Sequence, residues 1–178
     1  NGLDSIPSWQ KVAFAGHLSG PTRHPSGLEG VLGDAFRLPV EVISLVGHWI
    51  TIPVDQRCRL GETRATGVLG STCVAGARIW DRPMKFGVRI GPMSLEQFTT
   101  FLPKGSSHQK IHDWIAFYTR QQFYWEAAIV LKKEDVPQIR LGHAGRLGYT
   151  TWISSVPFAY DPDNYKVRGG ALDPADNT

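Results

Sequence analysis

His108 and His112 stand four positions apart in the segment HQKIH, a spacing that on a helix could bring two imidazoles to one metal ion. The segment lacks the glutamate that H-E-x-x-H supplies as general base, and no third ligand is signposted, so a solvated helix start accounts for the pair. Cys58 lies between Arg57 and Arg59, whose charges could lower its pKa and make it reactive. A single thiol in a loop is more often incidental. The glycines of GVLGSTCVAG, residues 67–76, lack the Lys-Ser/Thr that grips phosphates, and no G-x-S-x-G nucleophile elbow occurs. Asp81 beside Arg82 fits a local ion pair or a turn cap. His17, His24, His48 and His143 show no partner in sequence. The residues thus assign no catalytic group, no metal site and no cofactor.

Composition narrows the class. The 178 residues are 42% hydrophobic and 20% charged, with a net charge of +3, which describes an ordinary soluble globular chain of one or two domains. Basic residues are scattered instead of forming the stripe that nucleic-acid binding leaves. No apolar run approaches the roughly 18–20 residues that span a bilayer, and no stretch of these residues reads as a signal peptide. Two cysteines, Cys58 and Cys73, suggest a reducing compartment more than a disulfide framework. Six Trp, five Tyr and eight Phe fall mostly on core-facing positions, which leaves Trp80 and Trp152 as candidate interface anchors. A nucleic-acid-binding module using basic and aromatic residues is the alternative reading, and heparin retention that falls steeply with salt would identify it.

The elements that must position these residues follow from periodicity. Residues 9–18 suggest a helix ending near Gly20-Pro21. A second opens at Pro25-Ser26, with Ser26-x-x-Glu29 as capping box and Leu28, Val31, Leu32 and Ala35 on one face. Residues 40–50 are rich in β-branched side chains and read as one strand closed by Pro53. Residues 54–76 carry no period, and irregular loops of that length tend to be functional. The stretch 78–103 then gives a lead-in over Ile79-Trp80-Asp81-Arg82, closed by Pro83. A strand with Met84, Phe86, Val88 and Ile90 on its apolar face is stopped by Gly91-Pro92. A helix capped by Ser94-x-x-Gln97 follows, lined by Leu95, Phe98 and Leu102. Ser106-x-x-Gln109 reads as the cap of the next helix, carrying Ile111, Trp114, Ile115 and Tyr118. Residues 123–131 form a strand with Phe123, Trp125, Ala127, Ile129 and Leu131 on one side, closed by Pro137. Residues 139–149 are a Gly-rich loop, 150–154 a candidate short strand, and the chain beyond Pro157 an extended or poorly ordered tail.

An internal repeat organises this list. A shift of 83 aligns Leu28 with Ile111, Val31 with Trp114, Leu32 with Ile115, Arg37 with Arg120, Val40 with Phe123, Val42 with Trp125 and Val46 with Ile129. After a small slip, Arg59-Leu60-Gly61 matches Arg140-Leu141-Gly142, and GVLG at 67–70 matches GRLG at 145–148. The expected fold is α+β: two related helix–strand repeat units flanking a central strand–helix segment, with long irregular docking loops. The expected divisions are 1–24 (the end of a missing N-terminal region, since the chain opens at Asn1 inside an apparent helix), 25–76, 77–105, 106–156 and a tail over 157–178. Two similar units suggest two similar binding surfaces, the arrangement of a scaffold more than of an enzyme.

The segment RIWDRPMKFGVRIGPMSLEQFTTFLP, with the Trp114 helix, GLEGVLGDAFRLPVEV, VGHWITIP, the two RLG motifs, VLG and RLGYTTWI, resembles the TssG (ImpH/VasB) family of type VI secretion baseplate subunits. The resemblance covers nearly all of residues 9–154. It implies a non-enzymatic structural subunit of a cytoplasmic bacterial baseplate docked at the inner-membrane complex, with no membrane insertion of its own and no nucleic acid. The implied partners are two copies of TssF in a wedge with TssE, trimers of TssK, and the tube and spike of the machine. The loops 53–70 and 137–148 are then the expected docking feet. Their candidate contact residues are Arg59, Leu60, Gly61, Val68, Leu69, Arg140, Leu141, Gly142 and Leu147, with Trp80 and Trp152 as anchors.

Overall fold

Two short helices, α1 (Ser8–Ala13) and α2 (Ala15–Ser19), break at Phe14, whose ring meets Trp114 edge-on at 5.3 Å and so joins the first segment to the core. They open a computed structural model that describes residues 6–20, 22–59, 61, 64–137, 148–152 and 158–170. Helix α3 (Pro25–Phe36) buries Leu28, Val31 and Leu32, as its periodicity requires. Its cap differs from the expected Ser26–Glu29 box. Pro25 suits the first helical position, so the cap falls one residue earlier, and His24 Nδ1 accepts from the Ser26 N–H at 3.2 Å. Glu29 is free for another task and accepts from the Val42 N–H at 2.8 Å, tying helix to strand.

The β-branched run at 40–50 is two strands, not one. Strand β1 (Val40–Ile43) and strand β2 (His48–Thr51) belong to different sheets. The chain turns between them at Leu45, which has positive φ, and at Gly47, where a Cβ would collide with the Trp80 indole 2.1 Å away. Side-chain branching favours extended backbone but does not mark such a turn. After the short helix α4 (Arg64–Gly67), β3 (Arg78–Asp81) pairs antiparallel with β2 to make a two-stranded ribbon.

Strand β4 (Lys85–Met93) runs straight past Gly91-Pro92 instead of stopping there. The register shifts between Ile90 and Met93, so the proline sits in a bulge where its missing N–H breaks no ladder bond, and Gly91 takes a φ of 119° open to glycine. Ser94 caps α5 (Leu95–Phe101) through the expected box with Gln97. Helix α6 (Ser106–Thr119) buries Ile111, Trp114, Ile115 and Tyr118, but Gly105 is its N-cap and no side chain caps it. Gln109 instead donates to Asp113 at 2.9 Å. Strand β5 (Tyr124–Leu131) buries Trp125, Ala127, Ile129 and Leu131, and β6 (Tyr165–Gly169) completes the set. The segment 157–178, read as an extended tail, thus contains an edge strand whose Val167 is buried. Asp, Pro and Asn before it masked the alternation of YKVRG. Of the candidate strand 150–154, residues 150–152 are not strand, and 153 and 154 lie outside the described residues.

The main sheet has the order β1-β4-β5-β6, with β4 antiparallel to β1 and parallel to β5, and β5 antiparallel to β6. Helices α3, α5 and α6 cover one face, where Val88, Ile90, Met93, Phe98, Phe101, Leu102 and the strand side chains form a single core. The opposite face carries Lys85, Arg89, Glu126, Lys166 and Arg168, the wet and partly basic side that the alternation of β4 implies.

The 83-residue repeat is visible in the backbone. Arg37 and Arg120, matched in sequence, both close their helices in the left-handed conformation, at φ 55° and 54°. The N–H groups of Arg37 and Leu38 converge on Gly33 O, and those of Arg120 and Gln121 on Ala116 O, which again lies 116 − 33 = 83 residues on. Strands β1 and β5 flank β4 on opposite sides and run in opposite directions. The two helix–strand units are therefore related by a half-turn about an axis through β4.

Candidate docking surface

The loop of residues 52–77 springs from the end of the ribbon, because its base is closed by the Ile52 N–H donating to Ala77 O at 2.9 Å. Loop and ribbon form one long hairpin. Arg57 Nε donates to Ile52 O at 2.9 Å, so this arginine secures the base of the loop. On the returning side, Val68 O accepts from the N–H groups of Ser71, Thr72 and Cys73, and Thr72 Oγ1 accepts from the Val68 N–H at 3.2 Å. This tight knot holds Leu69 outward, 90% exposed. Val68 and Gly70 flank it and are exposed, as is Gly61, and both glycines have positive φ. Arg59 is exposed, and its carbonyl lies 3.6 Å from where a Gly67 Cβ would stand, so the RLG and GVLG motifs approach one another. Leu60 and the whole second set, Arg140, Leu141, Gly142 and Leu147, lie outside the described residues.

The ribbon beneath the loop is apolar and open. Trp80 pairs in register with Trp49, their rings 5.2 Å apart and close to edge-on, and both are more than half exposed (55% and 56%). Ile79, paired with Ile50, is exposed on the other face of the ribbon. Two exposed indoles on a ribbon are the composition of an interface anchor. Trp49 escaped the sequence reading because a single long strand hid its cross-strand neighbour, and no local spacing links residue 49 to residue 80. Trp152 is half-buried against Phe98 at 5.7 Å and extends the rim of the core.

The residues weighed for chemistry turn out to have structural tasks. Asp81 Oδ2 accepts from the Met84 N–H at 3.0 Å, capping the turn before β4, and lies 3.9 Å from His48 Nδ1. Arg82 Nε donates to Leu45 O at 3.2 Å. His108 Nδ1 sits 3.0 Å from Phe101 O, and the His112 ring packs on Trp125 at 4.8 Å. Burial and then the neighbouring His108 push the His112 pKa down, against the pull of Asp113. Among the described residues no group of three or more His, Cys, Asp or Glu gathers to hold a metal. The Cys58 pKa is raised, first by its hydrogen bond with Cys73 and then by burial, so the flanking arginines do not activate it as their sequence position suggests. Among the described residues no helix is long and apolar enough to cross a membrane.

Three comparisons place this arrangement among known proteins. The family model of type VI secretion TssG matches residues 1–154. A chain of the TssK-TssF-TssG baseplate subcomplex of the type VI secretion system, solved by cryo-electron microscopy, superposes with a TM-score of 0.71 at 15% identity, over 94% of this chain and 71% of that one. A chain of the type VI secretion baseplate complex superposes with a TM-score of 0.62 at 14% identity, over 96% of this chain and 48% of that one. This chain thus spans about half the length of the latter. Among curated proteins none matches.

Proposed function

Since this chain belongs to the TssG family of type VI secretion, we propose that it is a baseplate scaffold that bridges TssF copies in the wedge and docks TssK through paired loops. Membership of the family makes it a structural subunit and not an enzyme. The match over residues 1–154 carries the proposal, because it includes both helix–strand units and the loops that follow them. The names of TssK and TssF come from the assembly in which the similar fold was solved. TssE, the tube and the spike are further partners within this reading, and a place at the inner-membrane complex in the bacterial cytoplasm belongs to it too.

The divisions 25–76, 77–105 and 106–156 serve in this proposal as two docking units around a central strand–helix segment. The duplicated motifs support the assignment: RLG recurs at 59–61 and 140–142 and GxLG at 67–70 and 145–148, and linking two weak sites multiplies affinity without new kinds of contact. The first loop ends in exposed Leu69 and Val68, and the ribbon below it presents Trp49 and Trp80.

Replacing loops 53–70 and 137–148 by short linkers, singly and together, and measuring TssK capture tests the reading. Each single deletion is expected to weaken capture at least about tenfold through lost avidity, and the double deletion to abolish it. Undiminished capture by a double variant that keeps its circular dichroism and TssF binding would sink the proposal.

A further inference from the structure

Cys58 and Cys73 are 15 positions apart in sequence, yet their sulfur atoms lie 3.1 Å apart and both residues are half-buried. The framework on each side explains the meeting. Arg57, next to Cys58, is tied to Ile52 O, and the Cys73 N–H is tied to Val68 O. The Ile52–Ala77 bond closes the base below both. The loop is thus folded so that its two thiols face one another in the reduced state.

We propose that Cys58 and Cys73 are an oxidation site: a reversible dithiol–disulfide pair that clips the loop when a low-molecular-weight disulfide, such as oxidised glutathione, is present. One cysteine thiolate attacks a sulfur of that disulfide, forming a mixed disulfide and releasing one glutathione thiolate, which takes up a proton. The second cysteine, already alongside, loses its proton and attacks the protein sulfur of the mixed disulfide. The protein S–S bond forms and the second glutathione leaves. Two protein thiols are oxidised and one small disulfide is reduced to two thiols. The clip fixes the span between Arg59 and Val68, and so between the RLG and GVLG motifs. Any effect on partner docking rests on the loop reading proposed above, whereas the thiol chemistry does not.

The test treats the reduced, folded chain with oxidised glutathione and follows free thiols, intact mass and tryptic peptides. Both thiols should disappear together with the loss of two hydrogens and no retained glutathione. Peptides 58–59 and 65–78 should stay joined until a reductant is added. Closure should be at least about tenfold faster in the folded chain than in urea, because the fold holds the sulfurs side by side. Cys58→Ser should keep one glutathione on Cys73, as the resolving thiol is gone. A wild-type chain that accumulates glutathione adducts without the cross-link, that keeps both thiols while folded, or that closes no faster than in urea overturns the proposal. The wild-type readouts stand whether or not the variant folds.

Discussion

Glu126 accepts from Lys85 Nζ at 3.0 Å on one neighbouring strand and from Lys166 Nζ at 3.1 Å on the other, so three strands are joined by one carboxylate on the open face of the sheet. Burial alone would push its pKa up; the bonds from both lysines outweigh that and hold it below its usual value. A depressed pKa in the folded state stabilises fully above the unfolded pKa, and that stabilisation is lost as the pH falls through the folded one. Glu126→Gln is therefore expected to cost about 1 kcal/mol near neutral pH, a figure reduced for the partly exposed lysines. The cost should vanish in urea unfolding once the pH lies below the carboxylate range. A penalty independent of pH would mean the lysines do not hold this carboxylate.

Helices and strands meet at two matched corners, Arg37 and Arg120, both exposed and both left-handed. An L-residue with a side chain resists that conformation, and glycine does not. Arg37→Gly and Arg120→Gly should each raise stability by about 1 kcal/mol, while valine at either place should lower it by a similar amount. Chemical denaturation of the four variants would measure this. Effects of opposite sign at the two corners would show that the repeat does not extend to the caps. The corners could be aligned from the sequence because helix-end chemistry is local. The Ser94–Gln97 box was legible for the same reason. At Ser26 and Ser106 the same serine pattern named the wrong cap, since neighbouring Pro25 and Gly105 decide where each helix begins.

For the molecule as a whole, the chain order of the sheet makes the C-terminal strand part of the core. Strand β6 pairs with β5 from Trp125↔Gly169 to Ile129↔Tyr165, Tyr165 packs on Phe98 at 5.8 Å, and Leu131 donates to Pro162 O at 3.0 Å. Ending the chain after Trp152 should leave β5 as a bare edge and expose the pocket of Val167. Stability should fall by at least about 3 kcal/mol in urea titration, with self-association on sizing. A truncated chain as stable as the parent would show that β6 only decorates the sheet. From the sequence alone came the α+β class, the apolar faces of α3, α5, α6 and β5, the duplicated unit, and the family resemblance. The class and the apolar faces depend on residue type at a short, regular spacing, the duplication on motifs matched 83 positions apart, and the resemblance on motifs met in order along the chain. Only the tertiary structure decided which strand β1 joins and that 40–50 is cut in two. It alone made β6 an edge strand, faced Trp49 with Trp80, and brought Cys58 to Cys73. These depend on contacts between residues distant along the chain, and no local period records such a contact.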